Sequence, residues 1–431
     1  MRTSSTRPMF LRVRPMIMSK PMTDTVLDRF LRYVVIDTQS DDDSETTPST
    51  AKQKYLGRVL VAELLAMGVA DAHMDEHGYV YATIPANTQK AVPVICFCSH
   101  MDTAPDFTGT NVKPQIVPDY QGGDIRLAGD PSRVIRVGEH PELRHQIGND
   151  IITSDGTTLL GADDKAGLAE IMSAAQVLVG DRSIPHGVIK LLFTPDEEIG
   201  RGVDKVDLAK LGAQYAYTVD GETAGDIEDE TFSADGVEIE IAGVAMHPGF
   251  AKGRMVNAIK LASAIVARLP QAQSPEATEG REGFIHPVEI SGSMASARIG
   301  LIVRDFEEAG LADKEALLEA IVKDVVGAWP GATYTLEVHE QYRNMKVVLK
   351  DHPQIVENAV LAIERAGLKP HRGIIRGGTD GSRLSHMGLP CPNLFAGGHA
   401  FHSPLEWVSR QDMEKAVEVI VGIARVWEER S

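Results

Sequence analysis

A chain of 431 residues is too long for a single compact core, so two domains are expected, and 43% hydrophobic with 24% charged residues is ordinary for a globular protein. Its 43 basic and 61 acidic side chains leave a formal charge of -18, the wrong sign for a nucleic acid or an anionic membrane as partner. No apolar run reaches the ~18 residues of a membrane span, and Cys96, Cys98 and Cys391 suit neither a disulfide framework nor a zinc motif, so reduced core thiols of a cytoplasmic protein are expected.

Residues 1–22 carry Arg2, Arg7, Arg12, Arg14 and Lys20 with no acid, and read as a basic, disordered extension lacking the apolar region and cleavage site of a secretory signal. Regular structure is expected from residue 23. Asp24 can cap a helix whose apolar face is Val26, Leu27, Phe30, Leu31 and Val34. A second helix is predicted over 50–67, strands over 80–84 and 92–98, a helix over 165–179 and a strand over 187–194. This alternation of helix and buried strand predicts an α/β sandwich covered on both faces.

After Glu228 the rhythm changes. Strand patterns at 231–242, 284–291, 297–305 and 333–340, with helices at 257–269 and 314–329, give the order βαββαβ of a ferredoxin-like split unit. From residue 342 the α/β pattern returns, with a helix over 351–366, the loop Gly377-Gly-Thr-Asp-Gly381, a strand over 392–396 and a helix over 409–425. The predicted organisation is a large domain of 23–228 and 342–431 around an inserted domain of 229–341. The cleft between them is a natural binding site.

The strand at 187–194 runs into Asp196-Glu197-Glu198. Adjacent carboxylates repel and resist desolvation unless a cation is near; on an extended segment they point to opposite sides, so one can grip a metal while the other carries a proton. A solvated acidic turn is the alternative. His100 and Asp102 share a side of the strand end Ser99-His-Met-Asp102, where the carboxylate can fix the imidazole tautomer. Asp163 and Asp164 sit in Gly161-Ala-Asp-Asp at a helix start, either as caps or as ligands. Asp220 ends another apolar strand, and His402 or His399 stands beyond the strand at 392–396. In open α/β folds such strand ends gather into one site. The loop 377–381 lacks the Gly-Lys-Ser/Thr ending of a phosphate cradle and reads as a substrate-facing turn.

His100-x-Asp102, Gly161-Ala-Asp-Asp-Lys-Ala-Gly167, Asp196-Glu-Glu198, Val219-Asp-Gly221 and His402 resemble the co-catalytic zinc exopeptidases, the family of acetylornithine deacetylase and the glutamate carboxypeptidases. Arg29-Phe-Leu-Arg-Tyr33, Thr278-Glu-Gly-Arg-Glu-Gly-Phe284 and Ile375-Arg-Gly-Gly-Thr-Asp-Gly381 are most similar to its members acting on short peptides. The resemblance implies a zinc-exopeptidase-like α/β/α sandwich as catalytic domain, with the ferredoxin-like unit as a lid. It implies two zinc ions, one held by His100, Asp163 and Asp220 and the other by Asp163, Glu198 and His402, with a cis Asp163–Asp164 peptide. Asp102 would stand behind His100, and Glu197 would be the general base that moves the proton of the attacking water. His247 would bond the oxyanion, while Asn257, Arg304 and Arg376 would hold the peptide backbone and terminal carboxylate. The expected activity is release of the N-terminal residue from short peptides, tripeptides in particular. The alternatives are a carboxypeptidase or N-acyl amino acid deacylase of the same family, or a non-catalytic peptide-binding module. Relatives also suggest a homodimer paired through the inserted domain's exposed strand edge.

Overall fold

The computed structural model describes residues 24–431, and the basic extension at 1–22 lies outside the described residues. The large unit is built on an eight-stranded sheet. At its centre Ile189–Thr194, Ile95–His100, Tyr215–Gly221 and Asn393–Phe395 lie side by side and parallel. Period-2 alternation decides which side chain faces which layer. Ile95 and Phe97 point to the layer formed by the helices Val26–Val34, Ala162–Gly180, Pro353–Arg365 and Arg410–Glu429. Cys96 and Cys98 point to the other face, where they pack with Leu192, Leu384, Leu389 and Cys391 as buried free thiols. The expected α/β class is therefore met.

Local differences from the sequence reading have simple causes. The first helix is capped by Thr25, whose hydroxyl accepts from the Asp28 amide while Asp28 returns a bond to the Thr25 amide. Asp24 instead pairs with Arg32 at 2.9 Å. The strand expected from residue 92 begins at Ile95, beyond Pro93, which has no N–H to give to a ladder. Short strands that were not expected, Gln115–Val117, Ile151–Thr153, Gly398–His399 and Trp407–Ser409, build a four-stranded sheet of their own. Runs of two or three residues are too short for alternation to reveal them.

The chain leaves the large sheet after Thr231 and forms a second, antiparallel four-stranded sheet. Its order is Phe284–Gly292, Ser296–Asp305, Ser233–Ala242, Thr333–Tyr342, the strand order of a ferredoxin-like unit. Val237, Ile239 and Ile241 face the helices Ala258–Arg268 and Glu308–Gly327, and the intervening Glu238 and Glu240 face away.

The helix Ala162–Gly180 is buried almost all round and includes Glu170, which is 0% exposed with neither carboxylate oxygen hydrogen-bonded. Burial pushes its pKa well above the usual range, and the charge of Asp412 on the last helix adds to this. Asp412 is itself raised to about 6 by burial, against the bond it accepts from Gln146. A folded-state proton held above the unfolded pKa means that stability falls as pH rises past the ordinary glutamate range. Glu170→Met should therefore stabilise the protein by about 1–3 kcal/mol at pH 8 and by less at pH 5. Chemical denaturation at the two pH values checks this; equal effects would show that Glu170 is ionised and solvated in the fold.

Candidate active site

The carboxyl ends of the central parallel strands deliver the chemistry to one edge of the large sheet. Ile95–His100 ends on His100 itself, and Tyr215–Gly221 carries Asp220 one residue before its end. Beyond Ile189–Thr194, Asp196 turns the chain through a left-handed conformation (φ 58°) into the single turn Glu197–Ile199. The expectation of an extended Glu-Glu segment is thus corrected: the two carboxylates sit on a tight turn. Beyond Asn393–Phe395 the chain passes His399, which is buried against Trp407, and reaches His402 at φ 56°. Asp163 lies in the irregular first turn of its helix, and the Asp163–Asp164 peptide is cis.

At the centre one carboxylate stands between two imidazoles. His100 Nε2 is 2.9 Å from Asp163 Oδ1 and 3.6 Å from Asp220 Oδ1. The other oxygen, Asp163 Oδ2, is 3.4 Å from His402 Nε2, which is 2.7 Å from Glu198 Oε2. His100, Asp102, Asp163, Glu198, Asp220 and His402 are thus brought together, with Glu197 beside them in the same cleft.

Buried acids hold this arrangement from behind. The Asp102 carboxylate accepts from the amides of Glu197 (3.1 Å) and Glu198 (3.2 Å), so it fixes the acidic turn. The His100 tautomer is set mainly by the Asp102 backbone carbonyl, 3.1 Å from Nδ1, with the carboxylate at 3.4 Å; the sequence reading gave that task to the carboxylate. Asp164 accepts from Ser99 Oγ and the His100 amide, Asp196 from Ser49 and Gln53, and Asp380 from Thr194 Oγ1 at 2.6 Å. Glu406 accepts three backbone N–H bonds, from Leu160 (2.8 Å), Gly161 (2.7 Å) and Asp163 (2.9 Å). Apart from Asp102, these supports escaped the sequence reading. Asp164, Asp196 and Asp380 stood inside runs already singled out, but nothing in the spacing marks Glu406.

So many acids crowd two imidazoles that protonation is displaced throughout. Burial pushes Glu197 well above the usual carboxylate range, Glu198 to about 8 and Asp220 to about 6, the last two further raised by the charge of Asp163. Burial would raise Asp163 as well, but its bonds with His100 and His402 prevail and hold it low. His402 rises to about 11 through its bonds with Asp163 and Glu198. Glu198 Oε1 is buried with no hydrogen-bond partner. The cluster is thus short of positive charge and keeps an oxygen free, and its nitrogen and carboxylate donors suit a divalent ion such as zinc. Donor atoms of His100, Asp163 and Glu198 lie within 4.8 Å of one another, as do those of His100, Asp164 and Asp220.

The cluster opens into a cleft of about 1090 Å³ shared by the two units. Arg304 lines it from the inserted unit, its guanidinium over the Tyr342 ring and one nitrogen on Gln341. Arg376 also lines it, but its nitrogens are taken by the carbonyls of Thr278, Gly280 and Glu282, which leaves no free fork for a substrate carboxylate. His247 and Asn257 do not line it. The exposed His247 accepts from the Gly249 amide in its own turn, and Asn257 caps the helix Ala258–Arg268.

The model of the peptidase family M20/M25/M40 matches residues 156–426, well over half of the sequence. The chain belongs to this family. It is 48% identical over 410 residues to peptidase T of Geobacillus kaustophilus, with 95% of this chain and 100% of that one covered. It is also 48% identical over 405 residues to peptidase T of Desulfitobacterium hafniense, covering 94% and 98%. The crystal structure of the aminopeptidase PepT from Bacillus cereus superposes with a TM-score of 0.72 at 25% identity, covering 94% of this chain and 99% of that one. A Bacillus subtilis member of M20 described as a dinuclear metal-binding peptidase shares the fold, with a TM-score of 0.60 at 14% identity over 93% and 97% of the two chains.

In this M20 chain Glu406 fastens the Asp163 loop. Glu406→Gln, which leaves a single accepting oxygen, should weaken divalent-cation binding by about 10–100-fold. Titration calorimetry with zinc measures it, and an unchanged affinity would show that the loop holds Asp163 without Glu406.

Proposed function

We propose that the protein is a metal-dependent aminopeptidase that releases the N-terminal residue from short peptides, tripeptides among them, with two divalent cations at the His100–Asp163–His402 cluster. The observation that carries the hydrolytic reading is Asp163, with one oxygen 2.9 Å from His100 and the other 3.4 Å from His402, each imidazole also meeting a second carboxylate, Asp220 or Glu198. The whole-length relatives named peptidase T favour the free N-terminus and short substrates.

His100, Asp163 and Asp220 would hold one cation, and Asp163, Glu198 and His402 the other; zinc suits these donors. When bound, such cations supply the positive charge that makes water acidic near neutral pH and stabilises a developing oxyanion. Glu197, at the cleft wall with its pKa raised by burial, takes the proton of the attacking water and passes it to the leaving amine. Asp102 keeps Glu197 and Glu198 in register through their amides. Arg304 offers the fork that a peptide's terminal carboxylate fits. The inserted unit acts as a lid, and His247 reaches the oxyanion only when that unit moves toward the cluster.

Glu197→Ala should keep its metal, measured by elemental analysis, and lose about 10²–10⁴-fold in turnover. Retention of a tenth of the rate would remove Glu197 from the proton path. Free, N-acetylated and C-amidated tripeptides test the substrate end: an aminopeptidase cleaves the first and rejects the N-blocked form, whereas equal cleavage of both would favour a deacylase or carboxypeptidase. Chelation should abolish the activity and zinc restore it.

A further inference from the structure

An enzyme that releases N-terminal residues must recognise a free ammonium group, and none of the residues assigned above does so. The wall of the cleft beside Asp220 is formed by Gly221, Glu222, Glu228 and Asn393. Glu228 lies on the strand Asp226–Thr231, paired antiparallel with Asn393 on the neighbouring strand. The Asn393 side chain is oriented from below: its Oδ1 accepts from Thr218 Oγ1 at 2.8 Å, so its amide nitrogen faces the other way and donates to Glu228 Oε2 at 2.7 Å.

Glycines on both sides make room for this carboxylate. A Cβ at Gly221, the residue after Asp220, would stand 3.2 Å from Glu228 Oε2, and one at Gly373 would stand 3.0 Å from its Cγ. Glu228 is therefore packed and hydrogen-bonded into one position, next to the strand end that carries Asp220.

The carboxyl, its pKa raised to about 7 by burial, is nonetheless left without a counter-ion. Among the described residues no Lys, Arg or His nitrogen lies within 4.0 Å of it, and the charged groups that act on it are the acids Asp220, Glu222 and Asp226. Glu230, two residues along the same strand, shows the contrast. It is paired with Arg281 at 2.6 Å and with Lys346 at 2.7 Å. A carboxylate held rigidly in a substrate cleft and denied a protein cation is complementary to a cation that arrives with the substrate.

We infer that Glu228, positioned by Asn393, is the anchor for the substrate's N-terminal ammonium, and so the residue that makes this cleft specific for free amino termini. The inference rests on the aminopeptidase reading. The ammonium donates to Glu228, which places the first peptide carbonyl at the neighbouring Asp163–Asp220 cluster. The Asn393 bond occupies one oxygen of Glu228 and leaves the other for the amine.

The test pairs a tripeptide with its desamino analogue, in which hydrogen replaces the N-terminal amine, on the zinc-loaded wild type and on Glu228→Gln. The wild type should prefer the tripeptide, and Glu228→Gln should lose about 10–100-fold in kcat/KM on it, chiefly through KM. On the desamino analogue the loss should stay within about threefold, so the preference collapses. Glu228→Asp, which keeps the charge, should retain part of the preference and guards against a folding defect. Equal losses on both substrates, or a preference that survives in Glu228→Gln, would overturn the inference while leaving the activity intact. So would a fall in bound zinc, which would make Glu228 a metal ligand. If the wild type itself cleaves both substrates equally well, the aminopeptidase reading fails as well.

Discussion

Everything around the cleft follows from the placement of one carboxylate. Asp163 presents one oxygen to His100, which also meets Asp220, and the other to His402, which also meets Glu198, so a single side chain ties together the carboxyl ends of four strands. It can do so because its own backbone is held: Glu406 accepts the Asp163 amide and two amides just before it. Asp164, next along the chain, turns the opposite way to bond Ser99 and His100. Adjacent aspartates thus have different tasks, one facing the cleft and the other fixing the strand end.

The sheet supplies the geometry that makes this convergence possible. Parallel neighbours put their carboxyl ends on the same edge; the strand ends themselves carry His100 and Asp220, and the segments that follow their neighbours carry Glu197, Glu198 and His402. Concentrating acids there is costly in a buried setting, and the displaced protonation of Glu198, Asp220 and His402 records that cost. A divalent cation bound among these donors would relieve it and so couple the stability of the site to metal binding. The inserted sheet supplies the other wall, so that Arg304 faces the same cleft as the acidic cluster.

Much of this was legible from spacing and type. The central strands, the flanking helices and the βαββαβ unit follow from hydrophobic periodicity, and they met their expectation because long segments with one buried face leave few alternatives. The acids and histidines at the strand ends were identifiable because each sits just where an apolar run stops. The short strands between 104 and 153 were not, since two or three residues carry no period. Arg376 and Asn257 have other partners in this structure. Type and position suggested substrate contacts, yet a loop of carbonyls occupies the first and a helix terminus the second.

The sequence by itself determined the class of fold, the order of its units and the acids and histidines that gather at the sheet edge, because these depend on local pattern and on the chemistry of side chains. Only the tertiary structure decided which acids work in front and which behind. Asp102 serves the Glu197–Glu198 turn more than His100, Glu406 holds a loop more than two hundred residues away, and Glu228 has no ion-pair partner among the described residues while Glu230 has two. Those distinctions are set by distances between residues far apart in the chain, and no local pattern encodes a distance.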